Sequence, residues 1–223
     1  MKTTNIVICC AGPQTRVIID ILRDRPEYSI VGIIDSVINI GDSFYGYKVI
    51  GRQNEIQKLS KQYNFNAGLV GLGDNYLREK VVSEILEQSE DFKFINAISK
   101  FAYISPTAKM GVGNVIMPGV VINSEANMSN HCVINTNSSL EHNCTMADFS
   151  SLSAGVTTGG YFNLGRYSAI ALGVTILDRT SIGENVVVGS GSLVVKDLES
   201  HGLYYGSPAK RIRERKPFER FLK

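Results

Sequence analysis

The sequence has no run of about 18 consecutive apolar residues, so no segment is long enough to cross a bilayer as a helix. Its start, Met1-Lys2-Thr3-Thr4 followed by Asn5–Cys9, is too short and too β-branched for a secretory signal with a small-residue cleavage site. Charge of one sign is also missing. Lys and Arg number 23 against 21 Asp and Glu, and the net charge of +2 gives no electrostatic ground for binding nucleic acid. Cysteine is sparse. Cys9, Cys10, Cys132 and Cys144 show no CxxC spacing, and 223 residues can build a core without disulfide staples. They read as reduced, buried thiols of a cytoplasmic protein. Charged residues make up 20% of the chain at a mean hydropathy of +0.01, which excludes both a disordered chain and a membrane protein.

Charge is scarcest in the middle. Residues 104–194 carry only eight charged side chains in 91 positions, namely Lys109, Glu125, Glu141, Asp148, Arg166, Asp178, Arg179 and Glu184. Residues 1–103 are neutral, 104–194 come to −2 and 195–223 to +4. Such a bland middle segment must either hide its surface or bind something along it.

That segment repeats. Every sixth residue from Ile104 to Val194 is aliphatic except Thr158, fifteen of sixteen, with no slip of register. Two residues earlier the side chain is usually small, as at Ala108, Ala126, Cys132, Ser138, Cys144 and Ser150. A helix needs apolar residues at three and four, a strand at two, so a strict six fits neither as one continuous element. It fits a parallel β-solenoid whose short strands turn a corner every six residues. Three hexads close one triangular coil, and sixteen make about five coils stacked to about 25 Å. The period does not set the handedness. Cys132 and Cys144, 12 residues apart, fall on different faces and serve packing.

Residues 1–100 alternate between strands and helices. Strands are expected at Asn5–Cys10, Tyr28–Asp35, Lys48–Ile50 and Ala67–Leu72, and helices at Arg16–Arg23, near Asn54–Tyr63, and from an Asp74 or Asn75 cap to Leu86. Phe92–Ile98 leads into the solenoid. This is a small parallel α/β domain, and such domains bind ligands at the carboxyl ends of their strands. The loop Ala11–Thr15 has one glycine and a proline where a dinucleotide fingerprint needs three glycines. Asp35, at the end of the second strand, is placed to take a ribose hydroxyl pair. The residues alone leave open a nucleotide site, an NAD site or a purely structural domain.

Four features occur together: this α/β domain, the hexapeptide solenoid, the block Asn135-Thr-Asn-Ser-Ser-Leu-Glu-His142, and the tail Tyr205-Gly-Ser-Pro-Ala-Lys210-Arg211-Ile-Arg213. Together they resemble the bacterial hexapeptide-repeat sugar acyltransferases. The likeness is to the nucleotide-amino-sugar N-acetyltransferases of the bacillosamine and perosamine type, with sialic acid O-acetyltransferases nearby. The resemblance implies a Rossmann-like domain over 1–100, a left-handed parallel β-helix over 101–198 and a basic tail over 199–223. It also implies a homotrimer, acetyl-CoA as donor and a nucleotide sugar as acceptor.

By the same resemblance His142 is the catalytic base and Asn135 a supporting residue, with Asn143 beside the base. Gly160 presents its backbone N–H to the acetyl oxygen. Gly173 and the stretch with Gly189 and Ser190 run along the pantetheine arm, while Lys210 and Arg211 meet the coenzyme A phosphates. Gly12, Gln14, Asp35 and Asn75 lie on the nucleotide side. The chain departs from the family in three places. Asn143 stands where an acid usually follows the catalytic histidine, Ser151 where a second histidine is usual, and Gly12-Pro13-Gln14 where a histidine-bearing glycine loop is usual.

The residues fit that chemistry. Acyl transfer from a thioester needs a base for the attacking group and a donor for the developing oxyanion. Thiolate leaves readily, so no metal is required. Imidazole titrates near neutrality, and the histidines are His131, His142 and His201. His142 lies two residues past the inward Leu140, where a hexad turns and a side chain can project outward. His131 reads as a surface residue. The basic tail reads either as a phosphate contact or as a solvated or subunit-packing helix. A zinc solenoid enzyme needs three histidines, and the repeat holds only His131 and His142. A non-catalytic scaffold remains a rival from another class, and sugar O-acetylation a rival within the enzymes. The missing acid beside His142 favours an amine, which asks less of its base than a hydroxyl.

Overall fold

A computed structural model describes residues 3–221, so the first two residues and Leu222 and Lys223 of the basic tail lie outside the described residues. The chain divides into two compact units. The first runs up to Gly73 and resumes at Leu77–Ala97, and the second comprises Asp74–Tyr76 and the chain from Ile98 onward.

The first unit contains β1 (Thr4–Cys9), α1 (Pro13–Arg23), β2 (Tyr28–Ile34), β3 (Ser43–Phe44), β4 (Tyr47–Gly51), α2 (Ile56–Tyr63), β5 (Ala67–Val70), all of α3 (Asn75–Gln88) but its first two residues, and β6 (Lys93–Phe94). The sheet order is β3-β4-β2-β1-β5-β6, parallel except for the β3–β4 hairpin. That hairpin was not legible as a strand pair because β3 has only two residues. It turns on Tyr45 and Gly46, both at positive φ, as a two-residue hairpin loop requires. The helix α1 starts earlier than its apolar pattern suggests. Pro13 occupies the first turn, where its missing N–H costs no hydrogen bond, and Gly12 is the N-cap. Ile18, Ile19, Ile21 and Leu22 of α1 are buried.

In the second unit, sixteen two-residue strands run from Tyr103–Ile104 to Leu193–Val194. Each ends on one of the sixteen hexad positions, so the period read from sequence is the strand period of the fold. Paired strands lie 18 residues apart, as in Val115↔Val133 and Ser151↔Ala169, which builds three parallel sheets around one prism. The aliphatic residues and Cys132 and Cys144 are buried along its axis. Phe162 is the largest side chain at a position usually kept small, and it is fully buried.

The fourteen hexads from Met110 to Val188 each turn at a residue of positive φ, three places beyond the inward one. The three corners form columns: Gly113, His131, Phe149, Tyr167 and Asn185; Gly119, Asn137, Gly155, Gly173 and Gly191; Glu125, Asn143, Tyr161 and Arg179. In the first column rings stack along the prism. His131 lies 5.0 Å from Phe149 at 7°, Phe149 lies 6.1 Å from Tyr167, and Arg166 covers both Phe149 and Tyr167. His131 is therefore buried, not a surface residue, because its flat ring continues this stack.

The basic tail is a β-hairpin rather than a helix. Gly202–Gly206 pairs in parallel with Val187–Val188, and Ala209–Glu214 returns antiparallel to it. The tail thus extends one sheet of the prism, and the fold has no break at residue 199. Arg215, which follows, is buried; its Nε donates to Asn185 Oδ1 at 3.4 Å and its Nη1 lies 3.6 Å from Glu219.

Candidate functional site

The first unit carries a cavity of about 440 Å³ at the carboxyl ends of β1, β2 and β5, lined by Cys10, Gly12, Asp35, Val37, Lys80 and Glu84 among others. Strand order reverses at β1, and such switch points are where open α/β sheets hold ligands. Thr15 ties the floor together: its hydroxyl donates to the Cys10 carbonyl at 2.5 Å. A Cβ on Gly71 would lie 1.9 Å from that hydroxyl, so only glycine fits there. Arg78 Nη1 donates to the carbonyls of Leu72 at 2.8 Å and Gly73 at 3.1 Å and fixes the loop after β5. Burial pushes the Cys10 thiol up to about 12, so it is protonated at neutral pH.

Asp35 lines this cavity but holds backbone. Its Oδ2 accepts the Ala11 N–H at 2.7 Å, and its Oδ1 accepts those of Val37 and Ile38 at 2.8 and 2.9 Å. Three backbone amides occupy most of its acceptor sites and leave one lone pair on Oδ2. It joins the loop after β1 to the loop after β2. Arg52 Nη1 reinforces the second loop by donating to the Asp35 and Ile38 carbonyls at 2.5 and 2.6 Å. Gly12 caps α1 in this cavity wall. Gln14 has a buried amide nitrogen with no hydrogen-bond partner among the described residues.

Asn75 is engaged within the second unit. Its Nδ2 donates to the Tyr167 and Ser168 carbonyls at 3.2 and 3.1 Å. Next to it, Tyr76 stacks on Tyr167 at 4.3 Å.

In the second unit His142 is exposed at a corner, one residue before Asn143 in its left-handed conformation. The His142 Nδ1 and Asn143 Oδ1 are 3.0 Å apart. An amide oxygen only accepts, so Nδ1 carries the proton, and in the neutral ring the lone pair is on Nε2. The ring lies over Gly160, where an added Cβ would come within 2.6 Å of Cε1 and Nε2. Tyr161 meets it edge-on at 5.4 Å and 89°, and Arg179 lies 4.5 Å from the Tyr161 centroid.

Two of the glycines named from sequence have their backbone N–H groups engaged within the fold. The Gly160 N–H donates to Asp178 Oδ1 at 2.8 Å instead of facing an open position. The Gly189 N–H donates to the Tyr204 carbonyl at 2.8 Å, and the Tyr205 ring covers that glycine. Asn135 Nδ2 donates to the Leu152 carbonyl at 2.9 Å, so its amide braces the coil. Gly173 and Gly191, in contrast, leave their corner bare: nothing lies within 4 Å of where a Cβ would stand, and Ser190 beside them is exposed. Lys210 and Arg211 line a second cavity of about 570 Å³ with Lys196, Glu199 and Tyr204. Arg211 is half engaged there, with Nη1 3.2 Å from Glu199 Oε2.

Comparison with known proteins supplies the relatives. A family model described as the PglD N-terminal domain matches residues 5–85. The structure of PerB from Caulobacter crescentus, in complex with CoA and GDP-perosamine, is 28% identical with a TM-score of 0.86, over 93% of this chain and 96% of that one. The chain is thus similar over nearly its whole length to a solved GDP-perosamine N-acetyl transferase, and its first unit matches the PglD N-terminal domain. Its fold class is an α/β domain followed by a left-handed parallel β-helix. The acetyltransferase domain of PglB from Neisseria gonorrhoeae, at 24% identity and a TM-score of 0.85 over 94% of this chain and 100% of that one, bears on the fold alone. Among curated proteins, serine acetyltransferase 2 of Arabidopsis thaliana is 42% identical over 67 residues, 26% of this chain and 21% of that one. The chain spans about a fifth of the length of the first curated relatives it matches.

The structure brings His142, Asn143 and Gly160 together, and separately Gly12 and Asp35. Sequence reasoning missed Tyr161, Asp178, Arg179, Lys196, Lys80 and Glu84. Tyr161 and Arg179 stand 18 and 36 residues beyond Asn143, so the coil period applied to the corner would have found them. Among the described residues no group of three His, Cys, Asp or Glu could hold a metal ion.

Proposed function

We propose that this acyltransferase moves the acetyl group of acetyl-CoA to the amine of a nucleotide-linked amino sugar. The observation that carries the reading is the 3.0 Å contact of His142 Nδ1 with Asn143 Oδ1, which leaves Nε2 as the basic nitrogen above Gly160. A positioned imidazole of that tautomer takes the proton of an attacking ammonium or amine. Asn143 orients the ring, but as a neutral amide it adds no charge to stabilise imidazolium, which suits an amine better than a hydroxyl.

Tyr161 walls the ring edge-on and limits its swing. Asp178 holds the Gly160 amide, so this reading routes no oxyanion through that N–H. The donor brings the acetyl group as a thioester. Gly173, Ser190 and Gly191 offer an uncovered backbone corner for its arm, and Lys196 and Lys210 offer charge for its phosphates. Gly12, Gln14 and the cavity that Asp35 shapes hold the nucleotide of the acceptor. The PerB structure, with CoA and GDP-perosamine bound, supports both ligand classes. The four cysteines, all free and buried, support a reducing, cytoplasmic setting. Association into a trimer fits the scarcity of charge along the prism and exposed apolar residues such as Leu172 and Leu177.

Release of CoA thiol, followed with Ellman's reagent over a panel of GDP- and UDP-linked amino sugars, tests the reading. Acceptor-dependent release that His142→Ala abolishes is expected. No release with any amino-sugar nucleotide would overturn it.

A further inference from the structure

Among the polar side chains that line the first unit's cavity, most are already engaged. The Asp35 carboxylate holds three amides, and Gln53 Nε2 donates to the Cys10 sulfur at 3.6 Å. The Cys10 thiol is protonated and carries no charge. Two charged groups remain, Lys80 and Glu84, one turn apart on α3. Their ammonium and carboxylate are 4.0 Å apart at 72% and 44% exposure. An exposed pair at that distance is worth little, so either group can turn to a ligand. Val37, Leu72 and Val81 line the same cavity with apolar surface suited to a flat ring.

We infer that Lys80 and Glu84 select guanine as the base of the acceptor nucleotide, through the Lys80 ammonium donating to O6 and the Glu84 carboxylate accepting from N1–H and the N2 amino group. The inference rests on the reading of this cavity as the nucleotide site. Guanine presents one acceptor and then two adjacent donors along that edge, which one cation and one bidentate carboxylate complement in order. Residues at i and i+4 stand side by side on a helix, about the spacing the two contacts need. The other bases fit worse. Uracil and thymine flank their single N–H with two carbonyl oxygens, so one of them faces a carboxylate oxygen. Adenine offers a donor where Lys80 needs an acceptor. Hypoxanthine keeps O6 and N1–H but lacks the amino group.

Calorimetric titration of the full chain with GDP, IDP, ADP and UDP, on wild type and Glu84→Gln, tests this. GDP should bind about tenfold or more tighter than UDP and ADP, the discrimination a bidentate base contact usually gives, with IDP between. Glu84→Gln should remove most of the GDP preference and leave UDP within about threefold, at an unchanged melting temperature. Equal binding of GDP and UDP by wild type, or an unchanged preference in Glu84→Gln, overturns the base assignment and leaves the cavity a nucleotide site. Failure of every nucleotide to bind overturns the nucleotide reading itself, and this inference with it.

Discussion

His142 and Asn143, adjacent in the chain, meet through Nδ1 and Oδ1 at 3.0 Å across a corner that only a left-handed residue can turn. Asn tolerates that conformation better than most residues, so the residue that makes the turn also orients the ring. If His142 is the base, His142→Ala should lower kcat by roughly 10²–10⁴, the usual worth of a positioned base. Asn143→Glu should raise the pKa seen in the kcat/KM profile, because a carboxylate favours imidazolium. Asn143→Ala should stay within about tenfold of wild type, since the ring keeps Tyr161 and Gly160. Full rate in His142→Ala would remove the base assignment.

Gly160→Ala tests the space beneath the ring. The new methyl would sit 2.6 Å from Cε1 and Nε2, closer than atoms pack, so the imidazole must tilt away. A displacement of about 1 Å from productive geometry costs on the order of 10²-fold in rate. Steady-state kinetics should show kcat falling by that order while KM for acetyl-CoA holds. An unchanged kcat would mean the ring works from another position.

Asp35→Ala would leave three backbone N–H groups without their carboxylate. Hydrogen bonds to charged groups are worth about 1.5–3 kcal/mol each, part of which water restores at the cavity edge. A fall in Tm of several degrees is expected, together with a raised KM for the acceptor and a nearly unchanged KM for acetyl-CoA. Equal rises in both constants would show that the first unit only supports the fold.

The end of the chain should be acid-sensitive. Arg213 beside Glu219 holds that carboxyl down to about 2, with a shorter-range pull from the Lys216 N–H. A depressed carboxyl stabilises the folded state above its unfolded value of about 4.3 and loses that contribution as pH falls towards 2. Hydrogen-exchange protection factors at residues 213–219, taken relative to the intrinsic rate at each pH, should therefore fall between about pH 4.5 and pH 2. Glu219→Gln should exchange quickly already at pH 7. Pronounced protection of this segment at pH 2 would contradict the assignment.

Light scattering at micromolar concentration should give three times the chain mass. A stable monomer would contradict the trimer, and the exposed Leu172 and Leu177 would then need another cover.

The prism was legible because one rule, an inward aliphatic every six residues, holds at fifteen of sixteen positions and nothing else imitates it. The alternation of strands and helices in the first unit was legible for a similar reason, apart from β3, which is too short to show a period. Individual site residues were harder. Asp35 was found by its place at a strand end, but its engagement by Ala11, Val37 and Ile38 depends on how two loops fold back, which no local pattern encodes. Gly160 and Gly189 look alike in sequence; only the chain 16 to 18 residues further on shows what each touches. The tail's alternating Lys210, Arg211 and Arg213 carried no helical or strand period strong enough to identify the hairpin. Its basic composition pointed to phosphate, and its shape came from the free sheet edge it joins at Val187–Val188.

The coil period also makes the prism a ruler. Six residues inserted anywhere before His142 carry it to the next face, whereas eighteen return it to the same corner one strand layer away. The glycine corner at Gly173 and Gly191 is separated from the Lys196–Lys210 cavity by a set number of such layers, each about 4.8 Å. Length changes within the solenoid are therefore quantised. Whole coils lengthen the interval between arm and phosphates in fixed steps, and any other insertion scatters the corners among faces. A ligand of fixed length thus restricts which coil counts can serve it.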